Sequence, residues 1–527
     1  MPVWKCVAIT WYPGSGLYLS SRVYASADPR SLGVFRIALG ALLFEDVARR
    51  IPDLDAHYSN AGWLPNHFAL FRPMSSHLFS LYHAFSTPDE VRVLFGLHLL
   101  VNLLLLIGWR TRLMHVFAAV LITSLNSRNI ALENGGWVVL NLLTVWTLAL
   151  PLGRRFSVDA WRRIERARDA PGSVLADAGP NAPIASLAVT ALLMQWAVIY
   201  AFNVVQKDGL PWRDGSAVYY FLHQNRMLTG LGVWARDHLS LSGSRVLSFG
   251  TLGIETVICL LLLVPFGTRF LRMAAWALAC ALHLTLTALV ALGPFSWAMT
   301  CMFVALIPRE AWQGLERRLD GRPGTVSRFV VAHLRGEEPL LREPAQAVLA
   351  LRRTGHGVLQ ACVLAMMAAT ASQVLTENRA VPAWLKPNAR PDWMEALVVY
   401  PRLFQGWSMF APAPPSSDQR LVVDGRTADG RRLDPLTGSA PDFEVQPDGA
   451  PRMNQMWGEF HRRLGEPRFE SYLPGVRDML VHWHEISGRT ADRMVTFDVW
   501  VVSEAIPPPG AAKRPAGKRK LLSWSSR

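Results

Sequence analysis

The residues best suited to chemistry lie between positions 194 and 227. Lys207 is the first charged side chain after a long apolar run, and the sequence DGLP at 208–211 breaks the helix directly after it. Aromatic and polar residues that could form a pocket follow closely: Trp212, Tyr219, Tyr220 and His223. A lysine that is partly desolvated loses proton affinity and can act as a base near neutral pH. An amine at the end of a span can equally extend to water as an anchor, so the spacing leaves both interpretations open.

Four further ionisable side chains fall inside apolar segments. Arg36 and Glu45 share the first segment, and Glu255 and His283 lie in later ones. Charge within a membrane is costly, which makes such residues functional candidates. Ion pairs and polar contacts between helices are the structural alternative. Arg36 and Glu45 are nine residues apart, about two and a half helical turns, and therefore lie on opposite faces of one helix.

A short polar connection supplies two more candidates. Asn126 and Asn129 lie in the sequence SLNSRN, close to Asn134. They are predicted either to line an outward cavity or to satisfy free backbone groups at helix ends. The scattered histidines have no metal-ligand spacing, and the sequence has no phosphate loop, G-x-S-x-G or paired-cysteine motif. No metal site is therefore expected.

The composition indicates which elements position these side chains. Of 527 residues, 51% are hydrophobic and only 18% are charged, and tryptophan, which favours membrane interfaces, occurs 20 times. The formal charge of +14 is concentrated in the connections between apolar segments and in a short basic tail. That distribution argues against nucleic acid as a partner and indicates a polytopic membrane protein.

Nine apolar segments have lengths near those of membrane-spanning helices. The predicted spans are residues 32–47, 91–108, 113–127, 136–152, 184–205, 246–266, 273–292, 295–307 and 358–375. The expected fold is therefore all-α and polytopic, with about nine transmembrane helices in a domain over 30–376. An N-terminal segment, 1–29, precedes that domain.

The placement of arginines predicts the orientation. The connections after the second, fourth, sixth and eighth spans carry the arginines, among them Arg110, Arg154, Arg269 and Arg309. By the positive-inside rule this side is cytoplasmic. The N-terminus is then cytoplasmic, and Lys207 and the C-terminus lie outside the inner membrane.

Residues 377–505 have the composition of a soluble region. A hairpin at 421–433, amphipathic helices at 453–464 and 476–486, and a strand at 494–502 predict a small extracytoplasmic α+β domain. This domain could recruit a peptide or protein partner. The Pro-rich basic end, 506–527, is predicted to be disordered.

Several stretches carry a resemblance to a known family. They are LGVFRIALGALLFEDV at 32–47, YSNAGWLPNH at 58–67, SLNSRN and NGGW within 124–137, YAFNVVQKDGLPWRDGSAV at 200–218, and GWSMFAPAPP at 406–415. As a set they resemble the HTTM-domain proteins, bacterial relatives of vitamin K-dependent gamma-carboxylase. The resemblance covers about 30–420.

The resemblance implies a role for the lysine. In the carboxylase, a lysine in a similar setting deprotonates vitamin K hydroquinone. Oxygen chemistry then yields a stronger base, which removes the gamma proton of a peptide glutamate for carboxylation. The matching position here is Lys207. Three features depart from the family pattern: no histidine accompanies Asn126 and Asn129, Gln206 replaces the first of two consecutive lysines, and the C-terminal region is much smaller than that of the animal enzyme.

Two functions from different classes are therefore expected. In the first, the protein is a carboxylase-like lyase or ligase that uses reduced vitamin K or another quinol, with Lys207 as base and Arg36 with Glu255 as a structural or relay pair. In the second, it is a non-catalytic membrane protein that binds lipid or transports a small solute. Membrane lipid or quinone is the expected partner in both.

Overall fold

The computed structural model describes residues 25–71, 77–168, 181–320, 331, 334–335, 346–444 and 454–526. Most of the predicted N-terminal segment, residues 1–24, lies outside this part of the chain. The described helices are α1 Pro29–Ala48, α2 Leu54–Tyr58, α3 Asn66–Phe71, α4 Pro88–Ile107, α5 Thr111–Arg128, α6 Gly135–Trp146, α7 Val158–Arg168, α8 Leu187–Val205, α9 Leu210–Arg213, α10 Ala217–Leu222, α11 Gly230–His238, α12 Leu241–Leu263, α13 Thr268–Leu289, α14 Phe295–Ala305, α15 Arg309–Asp320, α16 Gln346–Glu377, α17 Asp392–Val399, α18 Gln455–Leu464, α19 Leu473–Val481 and α20 Trp483–Ile486. The strands are β1 Ser26–Ala27, β2 Ile184–Ala185, β3 Ser417–Thr427, β4 Arg432–Leu433, β5 Met494–Ala505 and β6 Gly517–Ser525.

A helix occupies each of the nine predicted spans. Five of these helices are long and apolar enough to cross a membrane: α4, α8, α12, α13 and the Arg353–Glu377 part of α16. The other four fall short because α1 and α5 carry charged and polar residues, while α6 and α14 have only 12 and 11 residues. The count of nine spans therefore stays a prediction.

Local sequence determines where these helices begin and end. Thr87 and Glu90 form a capping box at the start of α4, and Gly108, with a φ of 76°, ends the helix in the left-handed conformation that favours glycine. Ser186 and Ser240 accept backbone N–H bonds at the starts of α8 and α12. Each of these apolar runs is thus bounded by residues that satisfy its free backbone groups.

One continuous apolar core joins the long helices. Helix α1 packs against α4 and α14, and α12 packs against both α8 and α13. Leu39 and Leu43 of α1 and Leu192 and Trp196 of α8 have no exposed surface, and all four belong to the same core. The bundle that holds the candidate site is therefore a packed scaffold.

The two ends of the bundle differ in their contacts. At one end Ser31 Oγ donates to Ile307 O at 2.6 Å, and the turn from α4 to α5 lies there too, because Arg36 contacts Leu105 O. We call this the arginine end. At the opposite end Trp457 Nε1 donates to Asp53 at 2.8 Å, which places the end of α1 beside α18. We call this the tail end.

The C-terminal region contains a four-stranded antiparallel sheet in the order β4-β3-β5-β6. The predicted hairpin is confirmed, because Gly425 pairs with Leu433 across the turn that contains Gly430. The predicted strand and amphipathic helices correspond to β5, α18 and α19. Buried residues of β3 and α18, such as Leu421 and Phe460, belong to the same core as the long helices.

The prediction that the end of the chain is disordered is wrong for β6. This strand pairs with β5 and places Leu522 opposite Val499, and Trp524 opposite Phe497 with ring centroids 5.1 Å apart. The prediction was made from the Pro-rich basic composition of the whole segment and overlooked two apolar residues at alternate positions. Residues two apart lie on one face of a strand, so Leu522 and Trp524 together supply the contacts that hold the edge.

Candidate functional site

Lys207 lies directly after α8 and forms a buried ion pair. Its Nζ donates to Glu255 Oε2 of α12 at 2.6 Å, and both side chains are almost fully buried. The Trp212 ring covers the ammonium at 4.6 Å, a cation–π contact. The amine therefore does not extend to water; it is held between a carboxylate and an indole.

The sequence DGLPWR at 208–213 turns the chain so that Trp212 returns to the lysine. Gly209 N donates to Pro412 O at 2.9 Å, and a Cβ at position 209 would lie only 2.5 Å from that oxygen. Pro211 lies in the first turn of α9, where proline is tolerated, and Trp212 Nε1 donates to Phe410 O at 2.8 Å. Glycine at 209 therefore permits the close approach of the C-terminal region to the site.

A second polar pair lies beside the first. Tyr200 Oη and His283 Nε2 are 2.9 Å apart. Tyr200 and Asn203, three residues apart, lie on one face of α8, and Lys207 follows the end of that helix at the same cavity. Within the described part of the chain, Asn203 Oδ1 and His283 Nδ1 are buried and have no hydrogen-bond partner.

These side chains line a cavity of about 940 Å³. Helices α12, α13 and α14 give it an apolar wall, through Leu247, Leu282, Leu286, Leu289, Phe295 and Met299, while residues 404–415 and charged residues of the tail end form much of the rest. Ligand sites typically combine such an apolar wall with a few convergent polar groups, and the volume lies within their usual range of about 300–1,000 Å³. The arrangement can hold a largely apolar molecule with a polar group beside Lys207.

Residues 406–415 close part of this cavity. Trp407, Met409 and Phe410 line it. Gln206 Nε2, beside the lysine, donates to Trp407 O at 2.7 Å, and Trp407 N donates to Asn378 Oδ1 at 3.0 Å. The segment is therefore a fixed part of the wall.

Charged residues from distant parts of the chain meet at the tail end of the cavity. Glu133 pairs with Arg402, and Arg463 of α18 donates to Glu133 O at 2.6 Å. Arg226 pairs with Asp418 of β3 at 3.0 Å, while burial raises the pKa of this aspartate. We call Glu133, Arg402, Arg463 and Glu459 of α18 the rim, since all except Arg402 line the cavity and Arg402 is bound to Glu133.

Residues 24–312, more than half of the chain, match the HTTM domain. The chain belongs to the HTTM-domain family. No match to a curated protein or to a solved structure was found. In this HTTM-domain protein Lys207, Glu255 and His283 lie inside the matched residues, whereas the segment 406–415 lies beyond them.

Of the pocket residues predicted after Lys207, the structure brings only Trp212 to the cavity. Tyr219 Oη donates to Pro507 O at 3.1 Å, and the rings of Tyr219 and His223 lie 4.1 Å apart. Tyr219, Tyr220 and His223 do not line the cavity, because α10 turns Val218 and Phe221 toward it instead. Burial lowers the pKa of His223. The structure therefore does not bring these three predicted pocket residues to the cavity that contains Lys207.

The two predicted asparagines also lie away from the cavity. Asn126 Nδ2 donates to Asn141 Oδ1 at 2.9 Å, and Asn129 Nδ2 donates to His57 O at 3.0 Å. Both are buried inside the helical core, and the cavity wall contains Asn134 from the same connection. Neither Asn126 nor Asn129 lines the cavity that contains Lys207. The bond from Asn129 fixes α2, which contains His57, to the end of α5.

Arg36 does not form the expected relay with Glu255. Its guanidinium donates to Phe156 O and contacts Leu105 O at the arginine end, whereas Glu255 is paired with Lys207. Glu45 is exposed. Its neighbour Asp46 is instead fully buried and pairs with two arginines, a structural cluster that sequence reasoning missed.

Patterns in the sequence could have identified some of the missed residues. Tyr200 and Asn203 share a helical face, and both lie inside the stretch at 200–218 that carries the family resemblance. Asp46 and Arg50 have the i, i+4 spacing of a helical ion pair. Among the described residues, no group of three or more His, Cys, Asp or Glu side chains could hold a metal ion.

Proposed function

We propose that this HTTM-domain protein is a membrane enzyme that removes a proton from the hydroxyl group of a quinol or another lipid-soluble substrate. The observation that supports this proposal is the Lys207–Glu255 pair in the wall of a large, mostly apolar cavity. A proton acceptor in such a place meets an apolar substrate directly and is shielded from bulk water.

The cavity suits a ring that bears oxygen substituents and an apolar chain. Asn203 Oδ1 and His283 Nδ1 lack partners among the described residues, and a buried polar atom of this kind costs free energy unless a ligand or water satisfies it. A hydroxyl group can donate to Asn203 Oδ1, and the walls from α12 and α13 can contact an isoprenoid chain. The residues present therefore fit a quinol.

Proton transfer can use the ion pair as one unit. Lys207 accepts a proton only when its amine is neutral, so the ammonium first passes a proton to Glu255 Oε2, 2.6 Å away. Nζ then takes the hydroxyl proton, and the restored ammonium stabilises the negative charge left on the oxygen. Trp212 and the segment 406–415 exclude water, which strengthens these interactions. A bound quinol would supply electrons for oxygen chemistry.

The resemblance to vitamin K-dependent carboxylase extends the proposal to carboxylation. In that reaction a peptide glutamate would be the acceptor, and the rim is where a peptide coming from the tail end would meet the cavity. Arg463 of the rim could contact its carboxylate. We further propose that the protein lies in the inner membrane with the rim outside and the arginine end in the cytoplasm, in accord with the positive-inside rule.

The second candidate function is binding of lipid or passage of a small solute without catalysis. It is favoured by the contacts that already enclose the ammonium, since Glu255 and Trp212 are the contacts that a purely structural lysine would make. In that case the cavity would hold an apolar ligand, and Lys207 would only join α8 to α12.

Oxygen-dependent oxidation of a reduced naphthoquinone by the purified protein separates the two candidates. Lys207→Met should abolish the reaction, and Lys207→Arg should do the same because arginine keeps the charge but does not release its proton. Lys386→Met is the matched control, since Lys386 lies at the tail end, donates to Thr376 O at 3.3 Å and does not line the cavity.

Equal rates in wild type and in both Lys207 variants, or no oxidation in any of them, would remove the proton-acceptor proposal. Lipid that copurifies with the wild type and occupies the cavity would then support the second candidate. A loss of activity in Lys386→Met as large as in Lys207→Met would show only that removing a lysine harms the protein.

A further inference from the structure

A second cavity, of about 550 Å³, lies at the arginine end. It is formed by the turn that joins α4 to α5 and by the connection from α6 to α7. Among the described residues, its wall contains one acidic side chain, Asp159, and five arginines: Arg110, Arg112, Arg154, Arg162 and Arg163. Helix α4 is a candidate span that ends at Ile107, just before the turn, so the cavity lies at the level of a membrane surface.

The positive charge of this cavity is not neutralised by its one carboxylate. Asp159 accepts from the backbone N–H groups of Arg110 at 2.9 Å and Thr111 at 2.7 Å, and from Thr111 Oγ1 at 2.7 Å. Its oxygens therefore cap the start of α5. Arg112 and Arg162 make no ion pair with any carboxylate in the described chain. The charges of Arg112 and Arg162 repel one another, and an anion between them would relieve that repulsion.

Directly beyond the arginines, α5 exposes an apolar stripe. Leu113, Val116, Phe117 and Val120 are each between 41% and 45% exposed. Their spacing of three and four residues places them on one face of the helix. Trp161 of α7, which is 60% exposed, adds an aromatic ring of the kind found at membrane interfaces. The arginine-lined cavity thus lies next to the exposed apolar stripe of α5.

We propose that this cavity binds the phosphate headgroup of an anionic phospholipid whose acyl chains lie along α5. Guanidinium groups recognise phosphate oxygens through paired hydrogen bonds. Basic pockets among membrane helices bind such headgroups, and the apolar stripe explains why a lipid suits the place better than a free phosphate ion. The site is at the end of the bundle opposite Lys207 and does not depend on the function proposed above.

Photo-crosslinking tests the proposal on the unmutated protein. Purified wild type in detergent micelles is mixed with photoactivatable phosphatidylglycerol, irradiated and digested. Crosslinks should concentrate in peptides that contain residues 109–120 and 158–163. Crosslinks spread evenly over the apolar helices, or the same yield with phosphatidylcholine of matched chains, would overturn the proposal.

Charge-reversal variants test the arginines themselves by native mass spectrometry. Arg112→Glu with Arg162→Glu should weaken phosphatidylglycerol binding by at least about tenfold, since each basic residue near a lipid surface contributes several-fold to binding. Arg317→Glu with Arg318→Glu is the matched control: both arginines are exposed on α15 and lie outside the cavity. Arg112→Gln with Arg162→Gln provides a milder pair if the reversed one does not fold.

Two results would contradict a lipid site. Equal phosphatidylglycerol affinity in the cavity variants and in the control would show that these arginines do not bind the headgroup. Displacement of the lipid by millimolar inorganic phosphate alone would show that the cavity recognises free anions without a contribution from the apolar stripe. Retention of the lipid in phosphate, together with its loss from both cavity variants, would support the proposal.

Discussion

Two buried carboxylates in this protein differ in their surroundings: Asp46 is enclosed by protein, and Glu255 borders a cavity. Asp46 of α1 has no exposed side-chain surface and is bound by two arginines, Arg49 at 2.6 Å and Arg50. The Arg50 guanidinium also lies 3.9 Å from the Trp137 ring centroid. Glu255 of α12 has one partner, Lys207, and forms part of a cavity wall.

The difference shows that burial of a charge does not by itself indicate function. Around Asp46, every side is occupied by protein, so the carboxylate can only hold α1 to the loop that follows it. Around Glu255, one side is open to a space large enough for a ligand. A charge with a single partner and an adjacent cavity can exchange a proton with something that enters, which a fully enclosed charge cannot do.

The largest effect is expected from removing the enclosed carboxylate. Asp46→Ala leaves Arg50 buried without its counter-ion, and breaking a buried pair in this way typically costs about 3–5 kcal/mol of the free energy of unfolding. Glu45→Ala is the control on the adjacent residue, which is exposed, and should change that free energy by less than about 0.5 kcal/mol. Denaturant unfolding of the purified variants measures both. Equal losses would show that the two acidic residues share one environment.

The second prediction separates activity from stability at the cavity. Lys207→Met should lower quinol oxidation by roughly 100-fold or more, the usual range for a lost proton acceptor, and should destabilise the fold because Glu255 is left unpaired. Adding Glu255→Met should restore much of the stability, since replacing a buried ion pair by apolar residues is often neutral. The activity should stay lost. Recovery of activity in the double variant would exclude the pair from the chemistry.

The sequence was sufficient to predict the helices but not the face that each one turns inward. All nine apolar segments are helical, because apolar runs bounded by polar caps determine local structure. Glu45 and Asp46 differ by one residue, or about 100° around a helix, and this small step separates an exposed acid from an enclosed one. Sequence reasoning chose Glu45 because it could not fix the rotation of α1 against α4.

The candidate site was also predictable only in part, because local patterns identify unusual residues but not the distant residues that pack against them. Lys207, Glu255 and Trp212 could be identified as unusual within apolar surroundings. The way in which Trp407 and Phe410 close the cavity depends on contacts across about two hundred positions of the chain, which no local pattern encodes. The strand β6 was missed because its partner β5, rather than its own composition, stabilises it.

A third buried carboxylate, Asp434, extends the comparison because it forms no ion pair with any residue that the structure describes. Its side chain accepts backbone N–H bonds from Leu436 at 3.0 Å and Val423 at 3.2 Å, and burial raises its pKa to about 6. Between pH about 4 and about 6 the folded state therefore holds a proton that the unfolded state has released. The contribution of Asp434 to the free energy of unfolding should therefore fall by at most about 3 kcal/mol as pH rises through this window and then stay constant.

His461, also in the C-terminal region, makes the free energy of unfolding change with pH in the opposite direction. Its Nδ1 accepts from Leu421 N at 2.8 Å, and burial lowers its pKa to about 3. The unfolded state then binds the extra proton, so stability rises with pH up to about 6.5. Asp434→Asn should remove the falling contribution and reveal this rise when unfolding of the full chain is followed from pH about 4 to about 7. An unchanged profile in that variant would show that Asp434 does not titrate in the fold.

The smallest effect is expected at the rim, where Glu133 pairs with the buried Arg402. The Glu133 side chain is 23% exposed, against 0% for Asp46, so water reaches this carboxylate and can replace part of its lost contacts. A double-mutant cycle with Glu133→Gln and Arg402→Gln should give a coupling free energy of about 1 kcal/mol or less. A coupling above about 3 kcal/mol would show that this pair, like the ion pairs of Asp46, strongly stabilises the fold by joining the start of α6 to the C-terminal region. A small coupling means that the rim can separate at little cost, which a peptide approaching the cavity from the tail end would require.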